Sequence, residues 1–153
     1  MLRLSKLTDY AVVMLVQLSH GAACQTAPGI ARATGVPEPT VAKVLKALAA
    51  AGIVTSQRGS RGGYTLSLPA DAIDVAAVVT AMEGPIALVA CVEGSGQGCD
   101  AQGLCPVFGR WDVVNTAIRT ALSAITLADL DRGARPPARI TAAPAVQQSI
   151  LAE

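Results

Sequence analysis

Three of the four cysteines, Cys91, Cys99 and Cys105, fall within fifteen residues of one another, and Cys24 stands far upstream. An odd cluster of three cannot close on itself in disulfides, and grouped thiols in an intracellular chain more often serve metal or redox chemistry. The gaps of seven and then five residues are too long for the paired C-x2–4-C knuckles of structural zinc sites. Three thiolates set among Gly94, Gly96, Gly98 and Gly103 can instead wrap a larger object, and an iron–sulfur cluster, 2Fe–2S or 4Fe–4S, is such an object. Four ligands are normally needed, so the loop is one short. On spacing alone, a cluster loop and a metal-free thiol sensor stand level. Buried structural thiols and a distorted zinc site are the remaining readings, and placement among glycines argues against a packing role. The one histidine, His20, has no nucleophile beside it, so neither a Ser-His-Asp nor a Cys-His set is available and the chain is not read as an enzyme.

A second group of residues is cationic. Lys43 and Lys46 lie one turn apart, and Arg58-Gly59-Ser60-Arg61-Gly62-Gly63 places two arginines among three glycines. Net charge is only +1 over 153 residues, but residues 1–64 hold seven Lys/Arg against Asp9 and Glu38 while the remainder holds five against nine acids. A basic half joined to an acidic half points to an anionic partner for the first. Taken singly, such lysines usually just solvate a helix face.

These residues need elements to hold them. Hydrophobic residues make up 52% and charged residues 15%, enough for a core and too apolar for disorder. Leu7, Tyr10, Ala11, Met14, Leu15 and Leu18 recur at helical spacing behind a Ser5 cap, predicting a helix over 5–20. A second follows over 26–34, capped by Thr26 and stopped by Gly35, and a third runs from about Pro39 to Ala51 with Val41, Val44, Leu45 and Leu48 inward. Strands over 53–57 and 64–68 flank the arginine tip. Two short helices joined by a glycine turn, then a basic hairpin, make a winged helix-turn-helix. Its second helix presents early residues to the major groove, which selects Pro39, Thr40 and Lys43 for base edges and Lys46 for phosphate. Arg58, Ser60 and Arg61 form a wing tip suited to a narrow minor groove. A helix over 71–83 leads into the cysteine loop. Phe108, Trp111, Val114, Ile118, Leu122 and Ile125 then recur in steps of three and four, predicting a helix over 107–130, about 36 Å long, that packs on a two-fold mate.

The expected fold class is therefore mainly α with a small β-hairpin wing. A winged helix-turn-helix spans 1–70, a helix and cysteine loop 71–106, a long C-terminal dimerisation helix 107–130 and a flexible tail 131–153. The apolar run from Tyr10 to Val16, although followed by Gly21-Ala22-Ala23-Cys24, is too short for a signal segment or a membrane span. A cytoplasmic protein without membrane or small-molecule substrate is expected.

Five stretches together carry a family resemblance: Leu4-Ser5-Lys6-Leu7-Thr8-Asp9-Tyr10-Ala11, Pro39 to Leu48, Arg58 to Tyr64, Ala81-Met82-Glu83-Gly84-Pro85, and the three-cysteine loop. They resemble the IscR/NsrR-type winged-helix regulators, most closely the branch that regulates SUF iron–sulfur assembly. The likeness spans roughly residues 1–130. It implies a homodimer on a double-stranded DNA operator whose cluster state sets DNA binding, and it favours the cluster over the thiol sensor. By position, Cys91, Cys99 and Cys105 match the cluster-binding cysteines. The histidine that completes the IscR-type set is replaced by Phe108. The NsrR-type aspartate near the start of the first helix is matched by Asp9, which the resemblance places on the other subunit's cluster. His20, at the far end of that helix, is the weaker donor. A carboxylate in a helix's first turn is otherwise an ordinary partner of the macrodipole. The alternative function is a metal-free or zinc-containing thiol redox-sensing repressor.

Overall fold

Ser5, Thr26 and Asp74 start three helices in the same way, each with extended backbone and a side-chain oxygen accepting a backbone N–H three residues on. That bond satisfies one of the donors a helix leaves orphaned. A computed structural model describes residues 3–21, 24–59, 62–96, 98–100 and 103–131. The Ser5 cap opens α1 (Lys6–Ser19), Thr26 opens α2 (Ala27–Thr34), and α3 runs Glu38–Ala50. Gly35 ends α2 at φ +73°, a left-handed conformation that favours glycine, and its N–H reaches Ala31 O at 2.9 Å. Strands β1 (Val54–Gln57) and β2 (Gly63–Leu66) pair antiparallel, Val54 opposite Leu66 and Gln57 opposite Gly63.

The core is one continuous body. Met14 and Leu15 of α1, Ile30 of α2, and Val41, Val44, Leu45 and Leu48 of α3 are fully enclosed, and they meet Val54, Ile73, Val78 and Leu127. Enclosing each side chain of this size stabilises by about 1.5–3 kcal/mol. Helix α1 is the hub, packed on α2, α3, α4 (Val75–Glu83), β2 and α6 (Leu127–Leu130).

Two predicted helices are corrected. The helix over 71–83 is a 3-10 turn, Ala70–Ala72, followed by α4, because Ile73 turns into the core and Asp74 takes the extended cap conformation. The helix over 107–130 is α5 (Asp112–Ser123) and then α6. Before α5, Gly109 turns the chain at φ +71°. After it, Val75 N–H donates to Ile125 O at 2.9 Å and Leu127 N–H to Ile73 O at 2.8 Å, drawing the chain off the α5 axis. Thr126 and Asp129 then form a reciprocal capping box that starts α6. With 12 residues, α5 is about 18 Å long. No helix among the described residues is long and apolar enough to cross a membrane. The predicted tail lies outside the described residues beyond Asp131.

Candidate functional site

Helix α3 buries Val41, Val44, Leu45 and Leu48 and so turns Pro39, Ala42, Lys43 and Lys46 to solvent in one stripe. Thr40 is half-buried at the edge of that stripe. Arg58 is exposed where β1 ends, and Ser60 and Arg61 lie outside the described residues. The one ion pair among the described residues is His20 with Asp131, at 2.6 Å. Lys43, Lys46 and Arg58 therefore face solvent without a carboxylate partner, as cations that meet phosphate must. Ala42 belongs to the same face, as its place three residues after Pro39 and one before Lys43 allows; sequence reasoning passed over it because alanine carries no polar atom.

The wing is anchored beside this helix. Gln25 and Tyr64 exchange both backbone hydrogen bonds, at 3.0 and 2.8 Å. The approach is so close that a Cβ on Gly63 would stand 2.5 Å from Gln25 O and 3.0 Å from the Cys24 sulfur. Glycine at 63 thus serves docking of the wing against the segment entering α2, a role that the run of wing glycines concealed.

The cysteine loop lies between α4 and α5. Cys91, Cys99 and Cys105 are free thiols of intermediate exposure, which fits them in kind for thiolate ligation. In placement they are not gathered: among the described residues, no three His, Cys, Asp or Glu side chains come together as a metal site. Asp9 lies in the first turn of α1 and, with Leu4, Lys6, Val12, Val79 and Leu130, lines a cavity of about 640 Å³ that none of the three cysteines reaches. His20 is engaged instead with Asp131, tying the end of α1 to the end of α6.

Side chains from neighbouring helices hold the entry to this loop. Asn115 of α5 is 3% exposed. Its Oδ1 accepts the Leu88 N–H at 3.1 Å and its Nδ2 donates to Ile86 O at 3.0 Å. Asp112 accepts the Glu93 N–H at 2.9 Å. The spacing Trp111, Asn115, Ile118, Leu122 puts Asn115 on the apolar face of its helix, a signal that could have singled it out. On the other side, Glu83 accepts from the Thr8 hydroxyl and from the Ser5 N–H at 2.8 Å. Those donors, Thr8 foremost, hold its carboxyl below the usual glutamate range.

The apolar seam predicted for dimerisation is split. Phe108 and Trp111 precede α5 at 40% and 41% exposure, Val114 is exposed, and Ile118, Leu122 and Ile125 are half-buried. Val113, 78% exposed, joins the outward face although the three-four stepping left it out.

Residues 4–132 match the family described as Rrf2, Iron-dependent Transcriptional regulator. The chain is 37% identical over 124 residues to protein aau3 of Rhizobium meliloti, covering 80% of this chain and 76% of that protein. It is 32% identical over 132 residues to the HTH-type transcriptional regulator IscR of Erwinia tasmaniensis, covering 84% and 78%. Its fold is similar to the solved structure of CymR (YrzC), the global cysteine regulator of B. subtilis, with a TM-score of 0.66 at 28% identity over 88% of this chain and 100% of that one.

Proposed function

The chain belongs to the Rrf2 family of DNA-binding transcriptional regulators, and from that premise we propose that it is a homodimer whose operator binding is set by an iron–sulfur cluster held by Cys91, Cys99 and Cys105. Its targets on this reading are SUF-type iron–sulfur assembly genes or related stress genes, and it acts in the cytoplasm. The observation that carries the proposal is a loop with three free, part-exposed thiols, joined to a reading face on which Lys43, Lys46 and Arg58 have no carboxylate partner among the described residues. Asp9 of the partner subunit is the fourth ligand on this reading, which accords with the absence of any cysteine from the cavity that Asp9 lines in its own chain. When bound, the cluster would supply an oxidisable four-ligand link between subunits.

The chain's own residues make such a link consequential. Asp9 stands in α1, and α1 shares one core with α3, so a restraint on Asp9 is a restraint on Pro39, Thr40, Lys43 and Lys46. Two recognition helices must face the same side of the duplex about 34–36 Å apart. Freeing Asp9 changes that register and with it operator affinity. The exposed apolar residues Phe108, Trp111, Val113 and Val114 are the surface on which a second copy packs.

A second reading, a metal-free or zinc-holding thiol sensor, is favoured by one observation: among the described residues the three thiols are not gathered into a metal site. Anaerobic purification with iron, zinc and acid-labile sulfide assays decides between the two. The cluster reading expects a coloured protein with iron and sulfide, and an Asp9→Ala variant with altered spectrum and oxygen sensitivity. A colourless protein whose operator binding responds to thiol oxidant supports the second reading. If Asp9→Ala keeps the wild-type spectrum and oxygen sensitivity, the ligand assignment to Asp9 fails.

A further inference from the structure

Among the described residues, two polar side chains are buried, Thr8 and Asn115. They stand on different helices, α1 and α5, yet both act on one short segment. Thr8 holds Glu83 at the end of α4, and Asn115 holds Ile86 and Leu88 by their backbone groups. An enclosed amide or hydroxyl is unfavourable until its hydrogen bonds are made, and an apolar side chain of equal size would pack as well. What a satisfied buried polar group adds is preference for one arrangement over near alternatives. Residues 83–88 form the stem of the cysteine loop. A cavity of about 380 Å³ lined by Leu4, Glu83, Ile86, Leu88, Ile118 and Leu122 lies alongside, so packing does not enclose the stem on that side and these bonds help to fix it.

We propose that Asn115 and Glu83 are positioning residues of the sensor, clamping the stem of the cysteine loop to α5 on one side and to the first turn of α1 on the other. The inference rests on the cluster reading above. A change in what Cys91, Cys99 and Cys105 hold then moves the stem. The two bonds to Asn115 carry that movement to the outward apolar face of α5, and Glu83 carries it to the turn containing Asp9. Asp112 adds a tie to Glu93 further along the loop.

The test compares operator affinity of the anaerobically prepared cluster-loaded dimer with that of the same protein after iron chelation, by fluorescence anisotropy, in wild type, Asn115→Leu and Glu83→Gln. The expected result is that iron and sulfide per chain stay at the wild-type level while the loaded-to-stripped affinity ratio falls about tenfold towards one, within the usual range of couplings between sites. A purely structural role would lower the melting temperature of both states and leave the ratio unchanged. Asn115→Asp, which keeps the acceptor for Leu88, is expected to recover part of the ratio and serves if Asn115→Leu does not fold. Wild-type ratios in both Asn115→Leu and Glu83→Gln overturn the inference and leave the cluster reading standing. Wild-type protein that takes up no iron overturns the cluster reading, and this inference with it.

Discussion

Gly63→Ala tests the docking of the wing, because glycine there is required by backbone on the opposite side. The added Cβ would sit 2.5 Å from Gln25 O and 2.7 Å from Gln25 C, contacts that no rotamer relieves. The chain must separate, and the pair of hydrogen bonds between Gln25 and Tyr64, at 3.0 and 2.8 Å, is lost or stretched. Two such bonds contribute about 1 kcal/mol each, and forcing a methyl into filled space costs about 1–3 kcal/mol. Strand pairing that survives elsewhere offsets part of this, leaving a loss of about 2–4 kcal/mol. For a chain of this size that is a fall of about 6–12 °C in melting temperature. Gly98→Ala is the control, since a Cβ there meets nothing within 4 Å and should change stability by less than about 0.5 kcal/mol. Thermal and urea unfolding read the stability, and anisotropy on an operator fragment reads the affinity, which is expected to fall if the hairpin contacts DNA. A Gly63→Ala variant as stable as the control refutes the packing argument. One that is destabilised yet binds with unchanged affinity and salt dependence refutes the role of the wing.

Lys43→Ala should weaken operator binding by about 1–3 kcal/mol and relax preference at one base pair, read by competition with single-base variants of the operator. Arg61→Ala should reduce the log-log salt slope by about 0.9, and an unchanged slope removes the wing tip from the phosphate contacts. Val113→Glu places a charge on the outward face of α5 and should shift sedimentation from dimer to monomer while helix content by circular dichroism stays constant. Glu83 has a folded pKa depressed by the Thr8 hydroxyl and the Ser5 N–H. Its contribution is therefore present above the unfolded pKa of about 4.3 and is lost as pH falls through the lower folded value. Urea midpoints of the stripped protein should drop over that acid range in wild type and less steeply in Glu83→Gln.

The elements that the sequence announces are those whose signals are local. Ser5, Thr26 and Gly35 act within one turn of themselves, so α1, α2 and the turn into α3 are readable from neighbouring residues alone. The stripe of α3 follows from the helical period. The break between α5 and α6 depends on Ile73 and Val75, about fifty residues back, taking up the backbone groups of Leu127 and Ile125, and apolar periodicity runs through such a break without a mark. Thr126 and Asp129 did carry a capping signature, masked by the steps that continue to Ile125. The cysteine spacing shows three thiols on one loop, while how near they stand to one another is a matter of loop conformation, which spacing does not carry. Asn115 is marked by its place on the apolar face of α5, whereas Thr8 looks like an ordinary first-turn residue until its partner Glu83, far along the chain, is known.

The division of charge at residue 64 invites a picture of a reading head tethered to a sensor, and the packing argues for tighter coupling. Leu127, Ile73 and Val78 come from the acidic part, yet they lie in the same enclosed cluster as Met14, Leu45 and Leu48. Helix α4 packs on both α1 and α3, and α6 packs on α1. The loop stem is joined to α3 through packed structure: Glu83 ends α4, and Val78 of that helix is in the core that seats α3. Close-packed interiors shift between discrete arrangements and do not deform gradually. A displacement at the stem is therefore either absorbed by the adjoining cavity or passed through α4 to α3. Thr8 and Asn115 act on this choice, since their hydrogen bonds hold the stem to the helices and oppose its relaxation into empty space.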